Sequence, residues 1–261
     1  MPELAEIRIM ADYINSRPIQ EENFTSILFS PSAEKRRLSI VQPSDLQIFK
    51  ISADSRGKEL MLTLDQGNQI SMKISCSMGM SGYWKLVRPG QNIPKHSHLL
   101  FKSTSDSYLC LIDVRRFAKW KECSTWSSNR GPDPTTEYDK FLENISLNKS
   151  RRVFNKPVCE ILMDQKYFNG IGNYLRAEIL YRADINPWTP ANVALENQKV
   201  LQLCKQVPME AYSIGGGSIK DWKNPYGEQE ISIDDWMQCY GKESSKIDGT
   251  GRRIWFNRKF N

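Results

Sequence analysis

Residues 162–182 read LMDQKYFNGIGNYLRAEILYR, and two glycines in the middle, Gly170 and Gly172, separate one helical pattern from another. Upstream, PVCEILMDQ (157–165) begins with Pro157, which suits a first helical position because its missing N–H would have no partner there anyway. Downstream, NYLRAEILYRA (173–183) gathers Leu175, Ile179 and Leu180 on one side, so the spacing predicts a second helix over 173–183. Glycine tolerates backbone conformations and close approaches that a side chain forbids. The start of a helix presents N–H groups to an anion, and the Asn173 amide can add a hydrogen bond. The segment therefore reads as a helix–turn–helix that grips a phosphate of a nucleic-acid backbone, or as an ordinary glycine-containing turn.

Outward from this element, helical periodicity continues in a third segment at about 193–206. From Trp236 onward the chain returns to short strand-like runs around Gly241, Gly249 and Gly251. Toward the N-terminus, SSNRGPDPTTEYD (127–139) is rich in Pro, Gly, Ser and Thr and marks a domain boundary. Before it, period-two alternation dominates. LMLTL (60–64) and QISMKIS (69–75) flank the turn 65–68, and HLLFK (98–102) and YLCLIDV (108–114) flank 103–107. Residues 2–16 read as an amphipathic helix with Leu4, Ile7 and Ile14 on its apolar face.

Apolar residues make up 39% of the 261 positions and charged residues 25%, which excludes a disordered tail, a collagen-like repeat and a membrane bundle. The 36 Lys and Arg against 30 Asp and Glu give a formal charge of +6, a balance that favours a polyanionic partner. MPELAEIRIM carries two glutamates and lacks the apolar core of a secretory signal, so an intracellular protein is expected. The six cysteines form no CxxC pair, and buried thiols are expected rather than a disulfide framework or a four-cysteine zinc site.

Several residues carry possible chemistry. Removal of Met1 exposes Pro2 as a terminal secondary amine, with an α-amino pKa near ~8. Such an amine can attack a carbon at the aldehyde oxidation level to give an iminium ion. Glu3 beside it can donate a proton; Glu3 and Glu6 can equally be favourable acids in a first helical turn. IDVRRFAKW (112–120) places Arg115, Arg116 and Phe117 at the end of an apolar strand, and Met80 lies in the glycine-flanked SMGMSG (77–82). An arginine can fill a vacated base stack and an apolar side chain can wedge between base pairs; the bland reading is a core Phe117 and Met80 with solvated arginines. Lys58, in RGKEL (56–60), offers a point charge for phosphate or a solvated surface. His96 and His98 share one face of a strand but have no third ligand nearby, so contacts to phosphate or to the sheet are expected before a metal.

Taken together, PELAE, RGKEL, MGMSG, DVRRF, LMDQKYFNGIGNYLRAEILYR and the closing GRRIWF (251–256) occur in an order that closely resembles the formamidopyrimidine-DNA glycosylase/endonuclease VIII family, over essentially the whole chain. The helix–turn–helix run and the ending look most like the Nei-like zincless-finger branch. The resemblance implies an α+β fold: an N-terminal helix plus a two-layer β-sandwich (1–132), a helix–two-turn–helix domain (133–235) and a zincless β-hairpin finger (236–261). It implies that Pro2 is the Schiff-base nucleophile, Glu3 the general acid, Glu6 a further catalytic acidic residue and Lys58 the lysine needed for efficient strand cleavage. Met80, Arg115 and Phe117 match the void-filling triad and Arg116 a backbone contact. Asn173, Glu178 and Arg252 match DNA-binding positions of the two-turn motif, its helix and the finger. Ala5 departs from the family's second proline. Only Cys239 remains of the four finger cysteines, so the hairpin is expected to be held by Ile254, Trp255 and Phe256. The loop GGGSIKDWKNPYGEQ (215–229) is nearer the formamidopyrimidine branch, which broadens the expected substrate range.

The resemblance implies a bifunctional DNA glycosylase and abasic-site lyase. It would excise oxidised pyrimidines, formamidopyrimidines and hydantoins and cleave the strand by β,δ-elimination in base excision repair. The alternatives are the same chemistry directed to 8-oxoguanine and formamidopyrimidines, a non-catalytic damaged-DNA-binding module, or an RNA-binding protein. No cofactor or metal is expected. The expected partner is damaged double-stranded DNA, with single-stranded or bubble DNA also open. A monomer without membrane association is expected, located with the DNA in a nucleus or a bacterial nucleoid.

Overall fold

The structure is a computed structural model that describes residues 2–36, 40, 46–67, 70–217 and 232–261. The described residues fall into two compact units, Pro2 with 7–126 and 3–6 with 127–217 and 232–261. The break between Trp126 and Ser127 opens the Pro/Gly/Ser/Thr-rich stretch, and residues 236–261 belong to the second unit.

The first unit contains most of α1 (Leu4–Ile14), two short helices, α2 (Arg17–Gln20) and α3 (Pro31–Lys35), and two antiparallel sheets. One sheet orders β1 (Phe24–Phe29), β6 (Ser97–Ser103), β7 (Tyr108–Ile112) and β5 (Tyr83–Val87). The other orders β2 (Lys50–Arg56), β3 (Glu59–Asp65), β4 (Ile70–Ser77) and β8 (Lys119–Glu122). Register explains the buried face. Leu60, Leu62 and Leu64 of β3 lie opposite Cys76, Ile74 and Met72 of β4, and Leu62 and Leu64 also face Ala53 and Ile51 of β2. All of these side chains are buried, as a period of two requires on one face of a pleated strand. Phe24, Phe49, Phe101 and Trp84 pack through stacked and edge contacts with centroids 6.1–6.4 Å apart.

The second unit is helical: α4 (Tyr138–Asn148), α5 (Val158–Ile161), α6 (Asn173–Ala183), α7 (Ala191–Ala194), α8 (Gln198–Ser213) and α9 (Ile233–Trp236), closed by the hairpin β9 (Ser244–Ile247) and β10 (Arg253–Phe256). Two expectations are corrected. The helix expected over 157–165 is only α5, with Pro157 standing just before it as the cap. The single helix expected at about 193–206 is α7 followed by α8, because Asn197 breaks the run and its side chain caps α8 by accepting the Lys199 N–H. Helix α8 then runs through Pro208, whose neighbours Val207 and Ala211 are buried.

Helix α6 organises this unit. It is buried on nearly every side, including Arg176 and Glu178, both fully inaccessible. A helix buried all round must give such charges partners. Those partners build the functional region.

Candidate active site and nucleic-acid interface

The acidic start of the chain is seated on α6. Glu3 and Glu6 are 2% and 1% exposed. The Glu3 carboxylate accepts the N–H groups of Tyr174 (3.1 Å) and Leu175 (3.3 Å), donors that the first turn of a helix leaves without intrahelical partners. This corrects the expectation that these N–H groups face a nucleic-acid phosphate: the anion on the described helix start is Glu3. Asn173 is half-buried at the same turn, and its Oδ1 has no hydrogen-bond partner among the described residues. Glu6 accepts the Glu3 N–H (2.7 Å), the Tyr174 hydroxyl (2.9 Å) and the Gly217 N–H (2.7 Å). Burial, then the charges of Glu6 and Glu3, hold the Tyr174 phenol well above its ordinary 10, so it stays a donor. Leu4 N–H donates to the Gly170 carbonyl. Gly170 needs its positive φ of +97° for the turn between α5 and α6, and Gln165 wires that turn by accepting the Gly170 N–H and donating to the Met163 and Ile171 carbonyls. Tyr174 and Gln165 were not singled out from sequence; neither has a pattern that distinguishes it from core or surface.

In the first unit, Pro2 is buried. Lys58 is half-buried in the two-residue turn, Gly57 and Lys58, between β2 and β3. The wedge candidates sit on two loops, and Met80, Arg115, Arg116 and Phe117 are all exposed, Phe117 by 48% and Met80 by 41%. The core reading of Met80 and Phe117 therefore fails. The Arg115 guanidinium lies 5.0 Å from the Phe117 ring centroid. Arg116 adopts φ +58°, an uncommon left-handed conformation for a side-chain-bearing residue, and its carbonyl accepts from Arg36. Gly79 lies so close to the second loop that a Cβ would stand 2.6 Å from the Phe117 Cβ. His98 is buried, with Nδ1 2.8 Å from the Ser30 hydroxyl and Nε2 3.1 Å from the Asp113 carbonyl. Burial lowers its pKa. His98 is thus tied to the sheet and its flanks.

The hairpin β9–β10 presents Arg252 at its turn, exposed to solvent. The turn is built around Asp248, whose Oδ1 accepts the Thr250 N–H (2.9 Å), the Thr250 hydroxyl (2.7 Å) and the Arg252 N–H (2.9 Å). Its Oδ2 meets Arg176 at 2.6 Å, both side chains fully inaccessible. Burial pushes the Asp248 carboxyl up, but hydrogen bonds from Arg252, Thr250 and Arg176, with the Arg176 charge, outweigh it and hold the group below its ordinary 3.8. Arg176 also donates to the Cys159 carbonyl at 2.8 Å. Ile254 and Phe256 are buried, Trp255 half-buried, and the Phe256 ring meets Trp188 edge-on at 4.7 Å. Glu178, expected to contact DNA, is corrected. Its buried carboxylate accepts the N–H groups of Gln238, Cys239 and Tyr240, so it anchors the chain entering the hairpin. Most of the 215–229 loop lies outside the described residues.

With this geometry in place, comparison with known proteins is informative. Residues 1–120 match the formamidopyrimidine-DNA glycosylase N-terminal domain and residues 131–222 match the formamidopyrimidine-DNA glycosylase H2TH domain. The chain belongs to the formamidopyrimidine-DNA glycosylase/endonuclease VIII family. Within the family it is similar to endonuclease 8-like 1 of Mus musculus (36% identical) and of Homo sapiens (35%), each match covering 98% of this chain and 72% of the relative. The formamidopyrimidine-DNA glycosylase of Zymomonas mobilis is 29% identical over 87% of this chain and 84% of the relative. These matches put the chain in the Nei-like branch. The α+β fold is shared with a Lactococcus lactis FPG mutant crystallised with Fapy-dG containing DNA, at TM-score 0.80 and 23% identity over 100% of this chain and 99% of that one. No helix among the described residues is long and apolar enough to cross a membrane.

Proposed function

We propose that this protein, as a member of a family of DNA glycosylases with abasic-site lyase activity, excises oxidised bases from duplex DNA through a Schiff base on Pro2 and then cleaves the strand. It acts in base excision repair. The observation that carries the residue assignment is Glu3: a buried carboxylate on the residue next to the terminal imine-former, fixed by two N–H donors of the helix that bears Asn173.

In this mechanism basic side chains, Arg252 among them, capture the duplex by its phosphates, and the Asn173 amide adds a hydrogen bond. Met80, Arg115 and Phe117 fill the gap as the damaged nucleotide leaves the stack, with Arg116 on the backbone. Unstacking costs a few kcal/mol and least where pairing is already weakened, so the lesion itself contributes to selection. The Pro2 nitrogen, a free amine once Met1 is removed, attacks C1′. Glu3, in its carboxylic acid form, donates a proton to the sugar ring oxygen as the ring opens, and the base departs with the proton that the Pro2 nitrogen loses on becoming the iminium. The resulting iminium acidifies the C2′ protons, the 3′ phosphate leaves by elimination, and a second elimination releases the 5′ phosphate. Lys58 supports the cleavage steps by holding phosphate. Glu6 acts beside Glu3 as a further acidic group.

The substrates proposed are oxidised pyrimidines, formamidopyrimidines and hydantoins. Single-stranded or bubble DNA is a further substrate class. The protein acts as a monomer where the DNA is, in a nucleus or a bacterial nucleoid. A gel assay of duplexes carrying thymine glycol, 5-hydroxyuracil, a formamidopyrimidine, 8-oxoguanine or a hydantoin tests the proposal. Cleavage of at least one oxidised base, lost in Pro2→Ala, is expected. Binding of all five without cleavage of any contradicts it.

A further inference from the structure

Asp113 is fully buried and lies between the two loops that carry the wedge. Its Oδ1 accepts the hydroxyl of Ser81, next to Met80, and the N–H of Arg115 at 3.2 Å. Its Oδ2 accepts the N–H of Ala118 at 2.7 Å. Its own backbone is fixed as well: the N–H donates to the His96 carbonyl, and the carbonyl accepts the Arg116 N–H and faces His98 Nε2. One carboxylate thus receives donors from Arg115 itself, from the residue after Phe117 and from the residue beside Met80. Outside this ring of bonds the chain turns through Arg116 in its left-handed conformation, leaving Arg115, Arg116 and Phe117 exposed while Ala118 returns to the interior.

We infer that Asp113 is a positioning residue for nucleotide extrusion: its carboxylate locks the Met80 loop to the Arg115–Phe117 loop so that the three wedge side chains enter the base stack as one unit. The inference rests on the void-filling role proposed above. The chemistry demands an acceptor-only group. An asparagine of the same shape carries two N–H donors on one side of its head and must turn them on either the Ala118 N–H or the Arg115 N–H. One choice strands the buried Ala118 N–H; the other opposes the Arg115 N–H, leaving it only the Ser81 oxygen at 3.4 Å, and takes away the oxygen to which the Ser81 hydroxyl donates.

The test compares the full-length wild type with Asp113→Asn and Ser81→Ala. Each is measured for excision of one oxidised base in a duplex and for cleavage of a preformed abasic site in a single strand, which has no stack to enter. A 2-aminopurine opposite the lesion reports insertion by its fluorescence rise. Asp113→Asn is expected to slow duplex excision and the fluorescence rise roughly tenfold to a hundredfold. Ser81→Ala should slow them roughly threefold to tenfold. Single-strand cleavage should stay within about twofold of wild type in both. Equal loss on both substrates, or no loss on either, overturns the inference. If Asp113→Asn does not fold, the duplex-against-single-strand split of Ser81→Ala decides. A wild type that neither excises nor cleaves sinks the underlying functional reading instead.

Discussion

The two loops proposed to carry the wedge and the finger hairpin are each folded around one buried aspartate, but the two carboxylates are satisfied differently. Asp113 accepts from backbone N–H groups and a serine hydroxyl. Asp248 accepts a similar set and also faces the guanidinium of Arg176, which is as inaccessible as itself. Neutral donors to a carboxylate hold a loop with about 1.5–3 kcal/mol each. A buried charge facing a buried charge ties its segment to the core far more stringently, because neither partner can be left alone without a large desolvation penalty. In this chain, whose last thirty residues contain a single cysteine, the Arg176–Asp248 pair fastens the finger to α6.

The largest test of that contrast is Arg176→Met. It strands Asp248 and should cost about 3–5 kcal/mol in denaturant unfolding, typical of breaking one side of a buried pair. The Cys239 thiol, now inaccessible and pushed up by burial and by the charges of Glu178 and Glu243, should become open to alkylation. Adding Asp248→Asn should recover part of the loss, since it removes the stranded charge and keeps an oxygen for the Thr250 and Arg252 donors. No recovery would mean the pair does more than neutralise itself. Next in size, Glu178→Gln offers one oxygen where three N–H groups converge, and should cost about 1–3 kcal/mol. Faster proteolysis within 238–243 and weaker DNA binding check it.

The pH dependence sharpens the same contrast. A carboxyl held below its unfolded value stabilises the fold fully above that value and loses the contribution as pH falls through the lower, folded one. Finger protection, read by hydrogen exchange at 244–256, should therefore persist at pH 5 or so and fail only below 3.8, the ordinary value for Asp248. Smallest in stability is Arg252→Ala at the exposed turn. It should leave the melting temperature unchanged while reducing the salt slope of DNA binding by about one phosphate contact.

Much of this was legible in the sequence. Helix α6 appears at its observed bounds because a glycine pair sets its start and apolar spacing carries it. The hairpins β3–β4 and β6–β7 show because apolar residues alternate on both sides of a polar turn. Strand β2, with Ser52, Asp54 and Ser55, does not announce itself; it exists because Ile51 and Ala53 meet β3. The split between α7 and α8 hinges on one capping asparagine inside a run that periodicity alone continues. In the site, exposed Met80 and Phe117 could be chosen by chemistry, and Arg252 by the family resemblance. Asp113, Tyr174, Arg176 and Asp248 could not, because their roles come from partners far along the chain: Arg176 and Asp248 meet only when the hairpin folds onto α6. Glu178 was placed on the right helix and given the wrong partner for the same reason.

The most direct test of the central claim is mass spectrometry of the protein reduced with borohydride in the presence of lesion-containing DNA. The account predicts a chain lacking Met1, with the deoxyribose remnant on the nitrogen of Pro2 and no adduct in Pro2→Ala. A remnant on a lysine, or an active preparation that retains Met1, would contradict it.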